Sequence, residues 1–195
     1  LPGLTWSANV QGTYNVLNLA SRLQAHRAIF FSSAHVYGIP PRYMQSDENH
    51  PIAMGDSYTA TKIVGEELFK LFHTNRGLSY VTLRLFNSYG PQQPHDYFIS
   101  NKIAQAAEAA HNGERVLKLR GRSVTKDWVH ISDVISAAIM AIDSDYVGPI
   151  NVGSGIETSL ETIARKIAGA FGLELEFEGS DPGTRMCCDW KRIHT

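Results

Sequence analysis

Apolar segments of strand length alternate along this chain with amphipathic segments of helical length. Residues 28–32 and 78–86 are rich in β-branched and aromatic side chains and read as buried strands, while 6–25 and 56–73 space their apolar residues as helices do. A helix that joins two such strands has the length of a crossover, which favours a parallel sheet with helices on both faces. We therefore predict an α/β fold for the first half of the chain and a small mixed α/β lobe for the second half.

The helix predicted over 56–73 carries Val64, Leu68 and Leu71 at helical spacing, so we predict that these three side chains form its inner face. The same patterns predict further elements, namely helices over 97–111, 132–143 and 159–171, short strands over 115–119, 149–153 and 173–177, and a long loop over 39–55. We interpret the isolated carboxylates as solvated surface groups, these being Asp47, Glu48 and Glu66.

The composition excludes several classes of function. Charged residues make up 19% of the chain, the formal net charge is −1 and the basic residues are scattered, so we expect no nucleic-acid or anionic-membrane partner. No apolar run approaches the roughly 20 residues of a membrane-spanning helix, and the first residues do not resemble a signal peptide. Because Cys187 and Cys188 are adjacent and suit neither a disulfide framework nor a zinc site, we expect a protein of the reducing cytoplasm.

The strand predicted over 28–32 runs into four polar side chains, Ser32, Ser33, His35 and Tyr37, at the end of a strand where α/β proteins keep their chemistry. A nucleophile, a phosphate-binding group, a metal site and simple capping of the strand end are all open at this point. His35 has no second metal ligand at useful spacing, so we expect no metal. A nucleophilic pair of Ser33 and His35 is disfavoured because no G-x-S-x-G turn surrounds it.

A second feature with chemical meaning is the pair Tyr58 and Lys62 near the start of the helix predicted over 56–73. Residues four apart on a helix stand on the same face, one turn from each other. A lysine ammonium beside a phenol favours the phenolate, so the pair predicts a tyrosine with a lowered pKa. Such a tyrosine can exchange a proton with an alcohol or a carbonyl oxygen near neutral pH.

Five blocks of the sequence, taken in order and at their spacing, carry a resemblance to a known family: "FFSSAHVYG", "SYTATKIVGE", "LRLFNSYGP", "KDWVHISDV" and "INVGSG". Together they resemble the extended short-chain dehydrogenase/reductase superfamily, and within it the NAD-dependent nucleotide-sugar epimerase/dehydratase family. This resemblance implies a Rossmann-type sheet, a nicotinamide cofactor and a nucleotide-diphosphate sugar as substrate. It also implies a homodimer that forms through a four-helix bundle containing the Tyr58 helix.

The resemblance assigns the catalytic residues. It implies that Tyr58 is the acid/base, that Lys62 lowers the pKa of Tyr58 and binds the nicotinamide ribose, and that Ser33 hydrogen-bonds the reacting sugar oxygen. Asn9 matches an asparagine of the family's "NvxGT" block, with a structural role or a place in the proton relay.

The resemblance also assigns the binding residues. Phe31, Ser32 and Phe86 fall where the family lines the nicotinamide pocket. Three further positions correspond to contacts with the substrate's diphosphate, namely Asn87, Lys126 and Arg185. Lys126 replaces the arginine usual in the family, which keeps the charge but loses the bidentate fork.

The residues directly after Ser33 bear on the type of reaction. Dehydratases of the family carry an acidic pair at this point, whereas this chain has Ala34 and His35. We therefore expect transient oxidation at the sugar C4 followed by epimerisation, with NAD(P)H-dependent reduction of a 4-keto-6-deoxysugar as the alternative. Decarboxylation ranks third because the family's decarboxylases usually have an acidic residue in place of His35. A non-catalytic relative that acts as a sensor or scaffold is the hypothesis from a different class.

The chain has no G-x-G-x-x-G turn, and we interpret its one Gly-rich turn, 151–155, as a strand end. We therefore predict that 1–90 is the C-terminal part of a Rossmann-type NAD(P)-binding domain and expect the sequence to be part of a longer enzyme. Residues 91–195 are predicted to form mostly a substrate-binding lobe, with about 126–153 returning to the Rossmann domain. The choice between NAD and NADP cannot be read from these residues.

Overall fold

A computed structural model of the chain describes residues 2–38, 45–179, 183 and 186–188. Within these residues no helix is both long enough and apolar enough to cross a membrane.

The helices follow the predicted segments closely. The first helical segment consists of α1 (Pro2–Trp6), a π-helical turn (Ser7–Gln11) and α2 (Gly12–Arg22). The remaining α-helices are α3 (Ser57–Arg76), α4 (Phe98–His111), α5 (Ile131–Asp143) and α6 (Leu160–Ala170). A short 3₁₀ turn, Ala34–Tyr37, follows the first strand.

The strands of the described residues form four small sheets. The central parallel sheet has the order β1-β3-β7, with β1 (Ala28–Ser33), β3 (Tyr80–Leu85) and β7 (Gly148–Val152). A second sheet has the order β4-β6-β8, with β4 (Asn87–Tyr89), β6 (Thr125–His130) and β8 (Glu157–Ser159). Two parallel pairs complete the set, β5 (Val116–Leu119) with β9 (Glu174–Phe177) and β2 (Gln45–Ser46) with β10 (Cys187–Cys188).

The central sheet has helices on both faces, as predicted. On one face Val81 and Leu83 pack with Val134 of α5, and on the other Tyr80 packs with Leu17 of α2 and with buried phenylalanines of α3. Alternate residues of β3 therefore serve two separate apolar cores, as the two-residue repeat of a strand requires. A third core lies between α4, α6 and the β5–β9 pair, and it forms the small α/β lobe. The predicted fold class is confirmed, while the division at residue 90 stays a prediction.

Strand β6 is an addition to the predicted elements. Its residues, Thr125–His130, alternate in burial but include a lysine, an aspartate and a histidine, so their composition does not predict a strand. The strand forms because it pairs in parallel with β4 and antiparallel with β8. Both partners are remote in sequence, which is why local patterns do not predict it.

Two predictions about burial were wrong. Leu71 is 49% exposed, because Phe69 and Phe72 take the most buried positions of α3, whereas Leu68 packs against their core as predicted. Glu48 and Glu66 are buried and not solvated, since each finds hydrogen-bond donors inside the molecule. A carboxylate is buried only where such partners compensate for its lost hydration, and those partners come from other strands.

Candidate active site

The end of β1 and the start of α3 bring the predicted catalytic residues together. Strand β1 ends at Ser33, whose side chain accepts a hydrogen bond from the His35 backbone N–H at 3.2 Å and so caps the 3₁₀ turn. Helix α3 begins after Asp56, whose carboxylate accepts a hydrogen bond from the Thr59 N–H at 2.7 Å. The first turn of α3 then presents Tyr58 to the end of β1.

Tyr58 lies next to Ser33 at the mouth of this junction. Burial raises the pKa of the Tyr58 phenol above its ordinary value, and a hydrogen bond with the Ser33 side chain acts in the opposite direction. A serine hydroxyl that donates to the phenolate stabilises the charged form and so lowers the pKa of the tyrosine. A lower pKa is what proton exchange near neutral pH requires.

Lys62 lies one turn further along α3. Its Nζ donates a hydrogen bond to the Phe31 carbonyl at 2.8 Å and lies 5.6 Å from the centre of the Tyr58 ring. Burial lowers the pKa of Lys62 itself. The predicted lowering of the Tyr58 pKa by Lys62 is not seen in this arrangement, because burial of the phenol dominates and the opposing contact comes from Ser33.

A cavity of about 620 Å³ opens at this junction, between the central sheet and the small lobe. Six predicted site residues line it, namely Ser32, Ser33, Tyr58, Phe86, Asn87 and Lys126. The lining includes one cationic side chain, Lys126, and no carboxylate among the described residues. The cavity therefore favours an anionic ligand.

Two predicted site residues of the described part of the chain, Phe31 and Lys62, do not line this cavity. Phe31 is 46% exposed and does not line the cavity, while its carbonyl receives the Lys62 ammonium. Arg185 lies outside the described residues, so its assignment stays a prediction.

Further cavity-lining residues were not assigned by sequence reasoning: His35, Leu85, Ser88, Gln93, Tyr97, Phe98, Trp128 and Leu160. They come from four separate segments that only the tertiary fold assembles. Tyr97 and Phe98 end the segment "PHDYF", and Trp128 ends the segment "KDW". Aromatic residues within such polar segments were the one sequence signal that could have indicated a binding site here.

His35 is the titratable neighbour of Tyr58 on the cavity wall. The two rings meet edge to face, with their centres 6.2 Å apart. Burial and the charge of Lys126 lower the pKa of His35, while Asp56 opposes them. The imidazole is therefore uncharged at neutral pH, and it can accept or donate a hydrogen bond inside the cavity.

Lys126 and Asn87 are held by the second sheet. The Asn87 Nδ2 donates to the backbone carbonyl of Asp127 at 3.2 Å, and Asn87 pairs with Trp128 in the register of β4 and β6. Burial lowers the pKa of Lys126. Asp127 is fully buried and ties this strand to neighbouring loops.

Asn9 contacts the Tyr58 helix from the π-helical turn. Its Nδ2 donates to the Thr61 Oγ1 at 2.9 Å, and the Thr61 hydroxyl in turn donates to the Tyr58 carbonyl at 2.7 Å. The extra residue of a π-helical turn widens the helix locally and often occurs at functional sites. Asn9 thus braces the backbone beneath Tyr58.

Comparison with known proteins identifies the family. A model of the NAD-dependent epimerase/dehydratase family matches residues 1–153. The chain belongs to this family. The resemblance of the five sequence blocks is thereby confirmed.

Relatives within the family differ in the reaction that they catalyse. The chain is 31% identical to UDP-glucuronic acid decarboxylase 6 of Arabidopsis thaliana, over 85% of this chain and 49% of that protein. It is 32% identical to UDP-glucose 4-epimerase of Mycolicibacterium smegmatis, over 93% of this chain and 58% of that protein. The chain thus spans about half the length of the relatives it matches.

Solved structures agree on the fold. UDP-glucose 4-epimerase of Thermus thermophilus, in complex with NAD, superimposes with a TM-score of 0.79 at 25% identity, over 95% of this chain and 62% of that chain. Structural neighbours are complexed with NAD or with NADPH. Both nicotinamide cofactors are therefore compatible with this fold.

Proposed function

We propose that the protein containing this chain is a nucleotide-sugar 4-epimerase that uses NAD for transient oxidation at C4, with Tyr58 as the acid/base. The observation that carries the proposal is the meeting of Tyr58 and Ser33 on the wall of a cavity that favours anions, with Lys62 one helical turn behind Tyr58. A single tyrosine on a helix has little meaning, but a tyrosine whose hydroxyl meets a serine at the end of a parallel strand is arranged for proton transfer to a sugar oxygen.

In this mechanism the Tyr58 hydroxyl and the Ser33 hydroxyl both contact the O4 atom of the sugar. Tyr58 in its phenolate form takes the proton of the C4 hydroxyl as the C4–H bond breaks, and it returns a proton when the carbonyl is reduced. Ser33 donates to the phenolate and stabilises it, which opposes the effect of burial. The nicotinamide, when bound, supplies the hydride chemistry.

The described residues fit a nicotinamide cofactor at the Lys62 side of Tyr58. Lys62 already lies within hydrogen-bond distance of the Phe31 carbonyl and can donate further hydrogens to ribose hydroxyls. Phe31, Ser32 and Phe86 would bound the pocket for the ring, and the exposed Phe31 side chain has apolar surface available to cover.

The cationic end of the cavity suits the diphosphate of the substrate. Lys126 is the charged group there, and the Asn87 amide lies beside it on the paired strand. We assign both to the diphosphate, with Arg185 as a proposed third contact. Ammonium and amide donors are the groups that bind phosphate oxygens in proteins.

The choice of epimerisation rests on the two residues directly after Ser33. The relatives include epimerases and decarboxylases, so family membership alone leaves the reaction open. His35 is neutral and Ala34 has no titratable group, so the turn lacks the acidic pair that dehydration would use. Decarboxylation ranks behind epimerisation because His35 stands where the family's decarboxylases usually have an acidic residue. Epimerisation and reduction differ in stoichiometry, because a reductase consumes NAD(P)H whereas an epimerase recycles it.

The test is a Tyr58→Phe variant of the complete gene product. We expect kcat to fall by about 10²–10⁴-fold, the usual contribution of a positioned acid/base. UDP-, GDP- and dTDP-hexoses would be supplied as substrates, with the product followed by sugar NMR and the cofactor by NADH absorbance. Tyr80→Phe is the matched control, since Tyr80 is buried in the core between the sheet and α3, away from the cavity. Equal turnover by wild type and Tyr58→Phe would rule out Tyr58 as the acid/base, whereas no turnover by either protein across the panel would favour a non-catalytic member of the family.

We further propose that the protein acts as a homodimer in the cytoplasm. Apolar side chains of α1, α2 and α3 are exposed on neighbouring helices, including Leu4, Val16, Leu19 and Leu71. A groove on α3 continues this surface, and its lining combines the apolar Ile63, Val64, Leu68 and Leu71 with Glu67, Lys70 and Thr74. A second copy with the same surface would bury both sets, in line with the four-helix arrangement implied by the family. The thiols of Cys187 and Cys188 are buried, which fits a reducing compartment.

A further inference from the structure

One stripe of helix α3 contacts three consecutive residues of strand β1. Tyr58, Lys62 and Glu66 follow each other at intervals of four and therefore lie on the same side of the helix. Lys62 binds the Phe31 carbonyl, Tyr58 contacts the Ser33 side chain, and the Ser32 Oγ donates to the Glu66 Oε1 at 2.5 Å. The first two of these contacts belong to the proposed mechanism, and the third lies outside it.

Glu66 is held in place from the neighbouring strand. Arg84 of β3 makes three hydrogen bonds to its carboxylate, at 3.0 and 3.2 Å from Nε and at 2.6 Å from Nη2. Both side chains are almost fully buried. A bidentate pair of this kind allows the carboxylate little rotation.

Arg84 is itself fixed on its other edge. Its Nη1 donates to the Tyr37 hydroxyl and to the Glu48 carbonyl, each at 3.1 Å. The Tyr37 hydroxyl donates to the Asn151 Oδ1 at 2.6 Å, which reaches strand β7. The carboxylate that receives Ser32 is therefore anchored to all three strands of the central sheet and to the turn after β1.

We infer that Ser32 is a positioning residue, whose buried hydrogen bond to Glu66 fixes the end of β1 against α3 and thereby sets the contact between Ser33 and Tyr58. Ser32 is 4% exposed and its hydroxyl points to Glu66, so it fixes the strand end instead of contacting the sugar. The inference rests on the proposed function, because the contact that Ser32 would set is the one that tunes the acid/base.

The hydrogen bond between Ser32 and Glu66 also bears on the ionisation of Tyr58. The Ser33 contact lowers the pKa of a phenol that burial raises. Loss of the Ser32 hydroxyl would loosen that contact and raise the Tyr58 pKa further. The limb of the pH–rate profile that reports formation of the phenolate would then move to higher pH.

The experiment compares Ser32→Ala with wild type in the complete gene product. We expect kcat to fall about tenfold with KM for the nucleotide sugar unchanged, since displacements of an ångström or less at a reacting group have effects of this order or larger. The pH profile is expected to shift to higher pH. Ser32→Thr keeps the hydroxyl and is expected to restore both quantities. The phenolate absorbance in the near ultraviolet, taken as the difference between each protein and its Tyr58→Phe derivative, gives the Tyr58 pKa without reference to turnover.

A matched control removes a hydroxyl that has no such role. Thr82 of β3 is buried on the same face of the sheet, and its Oγ1 has no hydrogen-bond partner within the described part of the chain. Thr82→Val should leave kcat and the pH profile unchanged.

A second comparison separates positioning from a general loss of stability. If Ser32 acts through Ser33, then adding Ser32→Ala to a Ser33→Ala protein should cause no further loss of kcat. Wild-type kcat and pH profile in Ser32→Ala, or a full additional loss in the double variant, would overturn the inference. Failure of the proposed function itself would be seen separately, as an active Tyr58→Phe protein.

Discussion

At the scale of single residues, the Asp127 carboxylate joins two distant segments to strand β6. It accepts hydrogen bonds from the Ser154 N–H and hydroxyl, both at 2.7 Å, from the Gly155 N–H at 2.8 Å and from the Cys188 N–H at 3.1 Å. The residue is fully buried. Lys126 directly precedes Asp127 in the chain and lines the cavity, so these hydrogen bonds also fix the cationic end of the cavity.

Asp127→Asn is expected to lower the free energy of unfolding by about 2–4 kcal/mol. Several donors converge on the carboxylate, and an amide has one acceptor oxygen and turns its NH₂ toward donors that then lack a partner. Urea-induced unfolding measures the change. Asp133→Asn is the control, because Asp133 is exposed in the first turn of α5, and we expect it to cost less than about 1 kcal/mol. Equal stabilities of the two variants would contradict this account of Asp127.

At the scale of elements, helix α3 approaches strand β1 closely at Gly65. A Cβ atom built on Gly65 would lie 2.3 Å from the Phe30 Cζ, well inside van der Waals contact. The ring of Phe30 also packs on that of Phe69, with their centres 4.9 Å apart, so it has little room to move. The distance between this helix and this strand is therefore set by a glycine that lies between Lys62 and Glu66.

Gly65→Ala is expected to destabilise the protein and to lower kcat. Overpacking typically lowers the free energy of unfolding by about 1–3 kcal/mol. This loss outweighs the gain of about 1 kcal/mol that alanine brings over glycine through its higher helix propensity. Thermal unfolding and turnover measure the two effects. Gly169→Ala in α6 is the control, since nothing lies within 4 Å of its added methyl group, and it should be neutral or stabilising. A Gly65→Ala protein as stable and active as wild type would mean that Phe30 yields without moving the helix.

At the scale of the whole molecule, apolar surface remains on both sides of the sheet. Leu71 and its neighbours on α1–α3 form the surface that we assign to a second copy, and α5 exposes Ile135, Ile139 and Met140 on the opposite side. Strand β1 is the outer strand of the described sheet. Surfaces of this kind usually mark contacts with other chains or domains.

Leu71→Glu in the complete gene product is expected to convert a dimer into a monomer, because a charge placed in the α3 groove would lose its hydration on association. Sedimentation equilibrium measures the change. Ile156→Glu, on the exposed turn between β7 and β8, should remain dimeric. If Leu71→Glu has the same mass as wild type, the second copy does not bind at this groove.

Much of the fold could be predicted because the signals are local. The helix 57–76, the strands 28–33 and 80–85 and the cap at Asp56 each depend on residues that are neighbours in the chain. The spacing of Tyr58 and Lys62 likewise predicts one helical face. The polar strand β6 and the burial of Glu66 could not be predicted, because their hydrogen-bond partners are remote in sequence.

The sequence by itself determined the α/β class, the family and the residues at which proton transfer is proposed, because periodicity and ordered motifs are properties of the chain. The tertiary structure alone decided the partial burial of Tyr58, the cavity beside it and the network that holds Ser32. Burial and hydrogen bonding depend on which distant segments of the chain meet. Burial and hydrogen bonding in turn govern the pKa of Tyr58 and the position of β1 against α3.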